Sequence, residues 1–170
     1  MTIIDRPSPP TTSGERAMLE GWLEFHRATL VAKCGGLDDA KLREASVPPS
    51  SLSLMGLVRH MADVERHWFR RTLTGEDAPP LYYTDEDPDG EFHLCEEDTW
   101  KDARAAWEDE IERARDAASG RSLDDLAVQE IRGGKKVNLR WIYTHMIEEY
   151  ARHNGHADLI RERVDGAVGV

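Results

Sequence analysis

"LRWIYTHMIEEYARHNGHADLIRERVDG", residues 139–166, decides how the rest of the chain is read. Asn138 stands where a helix cap belongs and Gly166 where a helix stops, so the stretch reads as one long helix. His145, Glu149 and His153 follow one another at steps of four and share a stripe of that helix. His156, one turn beyond His153, can reach the same rim. Gly155 sits in the helix interior at a cost of roughly 1 kcal/mol against alanine, and is expected to mark a close helix contact.

Outward from this stretch, similar signals recur three times. Thr12 and Glu15 have capping-box spacing ahead of Met18, Leu19, Trp22, Leu23, His26 and Leu30, with Gly35 and Gly36 as the exit. Ser53 caps "LMGLVRHMADVERHWFRRTLTG", which closes at Gly75; Leu54, Leu57, Val58, Met61, Val64, Trp68 and Leu73 line one side, and Arg59, Asp63, Glu65 and Arg66 are polar. Asp98 opens "TWKDARAAWEDEIERARDAASG", which Gly120 ends. The connector "EDAPPLYYTDEDPDGEFHLCEE" is rich in proline, glycine and aspartate and reads as a long loop. "SLDDLAVQEIRGGKKV" reads as a helical turn followed by an extended piece.

Four long amphipathic helices predict an all-α fold, a four-helix bundle with long connecting loops. Residues 1–13 are expected to form a flexible tail, and 14–170 a single domain. Helices 2 and 4 also begin alike, "SLMGLVRHM" and "NLRWIYTHM". That echo suggests two similar hairpins packed so that the second and fourth helices face each other.

The bulk numbers exclude several classes. The 39% hydrophobic and 32% charged content suits a globular chain rather than a disordered one. No apolar run approaches the roughly 18 residues of a membrane span and no signal-peptide core is visible, so a cytoplasmic protein without a membrane partner is expected. Acidic residues outnumber basic ones 33 to 22, for a net charge of -11, which repels nucleic acid. Cys34 and Cys95 form no metal or redox motif.

The chemistry therefore rests on the histidines. Neutral imidazole and carboxylate one turn apart can grip a divalent ion from a single helix, and His60 on the second helix is the obvious further donor. Two histidines and one carboxylate leave coordination positions open, as in a catalytic site. The opposing reading is a solvated helix face and a hydrogen-bonded core histidine. His26, His67 and His93 carry no pattern beyond that plain reading.

"SLMGLVRHMADVERHWFRRTLTGE" and "LRWIYTHMIEEYARHNGHADLIRERVDG" resemble the second and fourth helices of the DinB-like superfamily. The likeness is to its actinobacterial branch of unknown function, related to mycothiol-dependent maleylpyruvate isomerase and the thiol S-transferases. It runs over nearly the whole chain from about residue 14. It implies a four-helix bundle with an open site for zinc or nickel, held by His60, Glu149 and His153, with His145 as a rival ligand. Glu149 departs from the histidine of many members and matches the isomerase subgroup; His156 stands where others have glutamine.

The resemblance further implies a low-molecular-weight thiol such as mycothiol, activated by the metal and transferred to a small-molecule electrophile. The alternatives are a non-catalytic, stress-related metal-binding bundle and a metal-dependent hydrolase. His156 is the candidate catalytic base. Tyr143, Tyr150, Trp68, Tyr82 or Tyr83 would shape the pocket, and Arg59, Arg152 or Lys135 would meet polar groups of the thiol. Apolar residues exposed on helices 1 and 3 would allow a homodimer.

Overall fold

The computed structural model describes residues 6–169; residues 1–5 of the expected tail, and Val170, lie outside the described residues. Four long helices form the bundle: α1 (Glu15–Cys34), α3 (Leu54–Glu65, running on as a π-helical segment, Arg66–Thr74), α4 (Trp100–Ala118) and α5 (Leu139–Asp165). A single-turn helix, α2 (Asp39–Leu42), was not expected from the sequence. No strand is formed among the described residues; the second connector makes only isolated bridges, Leu126 to Asn138 and Ile131 to Lys135. The chain is all-α.

Local chemistry sets the helix ends. Ser53 Oγ accepts from the Gly56 amide at 3.1 Å, and Asn138 Oδ1 from the Trp141 amide at 3.0 Å. Gly75 and Gly166 close their helices in the left-handed region at φ 74° and 77°. Two expected caps move. Thr99, not Asp98, caps α4, because the Asp98 carboxylate is engaged by Arg59 and the Cys95 amide. α1 starts after Gly14 with no side-chain cap, which leaves Thr12 outside its first turn. Upstream of it, Pro10 packs against Gly21 and the Arg6 guanidinium lies 5.1 Å from the Phe25 ring centre.

The most extensive packing is α1 on α5 and α3 on α4, so the two like hairpins that the echo suggested, α1 with α3 and α4 with α5, are not the main pairs. The α3–α5 contact that the echo suggested is present. Gly155 marks no close approach: a Cβ there would meet nothing within 4 Å, because that side of α5 faces outward. Of the large apolar side chains left exposed among the described residues, Trp22 lies on α1 and none lies on α4.

At the centre, each long helix gives one polar residue to a buried network. Arg27 of α1 forms a bidentate pair with Glu65 of α3, at 2.8 and 2.6 Å. Tyr150 of α5 donates to the same carboxylate at 2.7 Å and accepts from Trp107 Nε1 of α4 at 2.8 Å. Glu65 is fully buried, so these partners replace the water it has lost. The network fixes how α5 is rotated against α3, and therefore which stripe of α5 looks toward His60.

The π-helical segment starts at the residue after Glu65. Its wider turns bury Phe69 and Leu73 while Arg66 and Arg70 both reach Glu110 of α4, at 2.5 and 2.7 Å. Alongside it, one face of α3 clamps the long connector. Gly56 leaves room for Phe92, whose Cδ1 would sit 2.8 Å from an added Cβ. Arg59 pairs with Asp98 at 2.5 Å, donates to the Gly90 carbonyl at 3.2 Å and stacks 4.3 Å above the Tyr82 ring. Asp63 accepts from the amides of Leu81 and Tyr82 at 2.7 and 3.1 Å. These residues, read from the sequence as a polar helix side, are buried.

Candidate metal centre

His60, projecting from α3, meets the stripe of α5 that carries Glu149 and His153. Each of the three offers a ligating atom, and the atoms lie within 4.8 Å of one another. The His60 and His153 ring centres are 4.6 Å apart, and His153 Nε2 stands 3.5 Å from Glu149 Oε2. Donors around a tetrahedral zinc at about 2.0–2.1 Å are separated by roughly 3.3 Å, so the Glu149–His153 edge already has coordination spacing. The donor set, two imidazoles and a carboxylate, suits zinc or a similar divalent ion.

His153 is buried. Burial first, and then the fields of His60, His156 and Arg152, push its pKa down to about 3. At neutral pH its ring is uncharged, the form that binds a metal. His156 Nδ1 lies 3.3 Å from His153 Nδ1, close enough to orient that ring. This places His156 as the partner of a candidate ligand.

Glu149 is shared. Its Oε2 faces His153, while its Oε1 lies 3.4 Å from His145 Nε2 and 3.7 Å from Arg152. His145 turns away from His60. Its ring stacks on Trp141 with centres 4.9 Å apart and meets Trp68 edge-on at 4.5 Å. His145 thus joins Glu148 and Glu149 in a second group of possible donors that excludes His60.

Beside His60 opens a cleft of about 230 Å³, lined by Asp63, Val64, His67, Trp68, Tyr83 and Glu91. Trp68 and Tyr83 are thus on its wall, while the Tyr82 ring lies beneath the Arg59 guanidinium. Tyr143 and Tyr150 point elsewhere: the Tyr143 hydroxyl donates to Glu20 at 3.1 Å, and Tyr150 belongs to the central network. Arg59 is consumed by the connector, and Lys135 lies in the second connector beside Ile131 and Trp141. His67, which stands in no motif, also lines the cleft; burial first, with Arg71 and His145, lowers its pKa.

The residue that sequence reasoning missed outright is Glu91. Its Oε1 lies 3.0 Å from His60 Nδ1, and its buried Oε2 has no hydrogen-bond partner. Burial alone would raise its pKa, but the His60 hydrogen bond and the charges of His60 and Arg59 hold it below the ordinary carboxylate value. In sequence it is one acidic residue among many in an acidic loop, and only its place between Gly90 and the aromatic Phe92 hinted at an anchored turn.

Two wider cavities, of about 630 and 600 Å³, lie between α1 and α4 and are lined by none of these histidines. No described helix is long and apolar enough to cross a membrane. Compared with known families, the chain matches the sequence model described as Mycothiol-S-transferase over residues 18–166. No curated protein matches it.

Proposed function

Since the chain belongs to the mycothiol S-transferase family, a branch of the DinB-like superfamily, we propose that it transfers a low-molecular-weight thiol to a small electrophile at a divalent metal centre held by His60, Glu149 and His153. The observation that carries this reading is the convergence of those donor atoms within 4.8 Å at the α3–α5 contact, beside an open cleft. Zinc or nickel is the expected ion.

When bound, the ion supplies Lewis acidity that lowers the pKa of a thiol, so that thiolate is available near neutral pH. The chain does the rest. His153 is kept neutral by burial and oriented by His156. Trp68, Val64 and Tyr83 wall the cleft, restrict water and hold the apolar body of the electrophile against His60. In the transfer, the S–H bond breaks and its proton passes to solvent. The sulfur electron pair forms the new bond to carbon, and the leaving group departs with the pair of the bond that breaks.

The test begins with elemental analysis of protein purified without a chelating tag, beside His60→Ala and His153→Ala. Near-stoichiometric zinc or nickel, lost in both variants, is expected. Electrophile consumption is then followed with and without a thiol. Turnover only with thiol supports transfer; turnover without it favours the hydrolase. A wild-type protein that stays metal-free after reconstitution refutes the metal-centre reading and leaves a non-catalytic bundle.

A further inference from the structure

Glu91 is held in place more firmly than a connector residue needs to be. Its neighbours on both sides are fixed by α3: the Gly90 carbonyl accepts from Arg59 at 3.2 Å, and Phe92 fills the space left by Gly56 while its ring stacks on His60 with centres 5.6 Å apart. The carboxylate between them is 6% exposed and directs Oε1 at His60 Nδ1, 3.0 Å away. A buried carboxylate accepts hydrogen bonds, so the proton of a neutral His60 ring is drawn to Nδ1. The lone pair then sits on Nε2, the nitrogen left for the Glu149–His153 side. Carboxylate, imidazole and ion in series form an arrangement that orients a ligand and raises its basicity.

We propose that Glu91 is the positioning residue of the metal centre, setting the tautomer and ring orientation of His60 from the connector that lines the cleft. The inference rests on the metal reading given above. A purely structural Glu91 would tie the connector to α3, but Arg59, Asp63 and Phe92 already do that, and among the described residues His60 is the one residue of another element that the Glu91 carboxylate bonds.

Two readouts test it without turnover. In metal-free protein at about pH 8, imidazole nitrogen NMR is expected to show His60 in the Nδ1–H tautomer; the Nε2–H tautomer in wild type overturns the proposal. Zinc affinity is then measured by competition with a chromophoric chelator for wild type, Glu91→Ala and Glu91→Gln, with circular dichroism as the folding control. Glu91→Ala is expected to bind zinc about 10–100-fold more weakly. Glu91→Gln keeps an acceptor oxygen and should recover most of that loss. Equal affinity in Glu91→Ala, or a glutamine variant as weak as the alanine one, overturns it. If wild type binds no zinc, the metal reading has failed and this inference falls with it; if wild type binds and Glu91→Ala binds equally, only the inference has failed. Should Glu91→Ala not fold, the tautomer measurement on wild type still decides.

Discussion

Replacing Tyr150 with phenylalanine removes one oxygen from the centre of the bundle and almost no volume. That oxygen donates to Glu65 at 2.7 Å and accepts from Trp107 Nε1 at 2.8 Å, and all three residues are buried. A hydrogen bond to a charged group contributes about 1.5–3 kcal/mol, and a buried N–H left without an acceptor costs about 1–3 kcal/mol. The two terms overlap, because the side chains can relax a little, so Tyr150→Phe should destabilise by about 3 kcal/mol. For a chain of this size that is a fall of roughly 6–12 °C in melting temperature, at about 2–4 °C per kcal/mol. Urea titration should show a lower midpoint with an unchanged slope. Arg27→Met should cost about 3–5 kcal/mol by stranding Glu65, and Arg27→Met with Glu65→Met much less than the sum. A Tyr150→Phe change below about 0.5 kcal/mol, the size expected at an ordinary surface position, would refute the claim that the network holds the four helices in register.

Gly155→Ala should stabilise by about 1 kcal/mol in thermal melts, since a Cβ there meets nothing and helix propensity alone operates. Gly56→Ala should do the reverse despite the same propensity gain: its Cβ would sit 2.8 Å from Phe92 Cδ1, an overpacking cost of about 1–3 kcal/mol. In metal-free protein, His153 with its pKa near 3 remains neutral when folded but takes a proton near pH 6.5 when unfolded. Its stabilising share is therefore complete above that pH and lost as pH falls toward 3, up to about 2 kcal/mol by pH 5. His153→Gln should flatten that part of the stability–pH curve; an unchanged slope in chemical denaturation would refute the assignment.

The helices were legible because their signals are local. Ser53, Asn138, Gly75 and Gly166 each act on the turn beside them, and the shared stripe of Glu149 and His153 follows from helical pitch alone. His60 could be paired with that stripe because it sits so near a recognisable helix start. What stayed hidden depends on residues distant in the chain. Arg27, Glu65, Trp107 and Tyr150 look like ordinary members of four separate helices until packing puts them together. Arg59 and Asp63 resemble a wet helix face, and become buried only because the connector folds over them. The π-helical turns follow no hydrophobic period that separates them from α-helix, and Glu91 is one carboxylate in an acidic loop.

The three candidate ligands come from α3 and α5, which lie far apart in sequence, and the connector that follows α3 stands at their back. An unfolded chain has no such cluster, so an ion would bind the native state alone, and occupancy and folding would be one thermodynamic quantity. At a hundred times its dissociation constant a bound ion adds about 2.7 kcal/mol to the native state. The melting temperature thus becomes an ion electrode: a panel of divalent salts ranked by thermal shift would rank their affinities, and a chelator would act on this bundle as a mild denaturant.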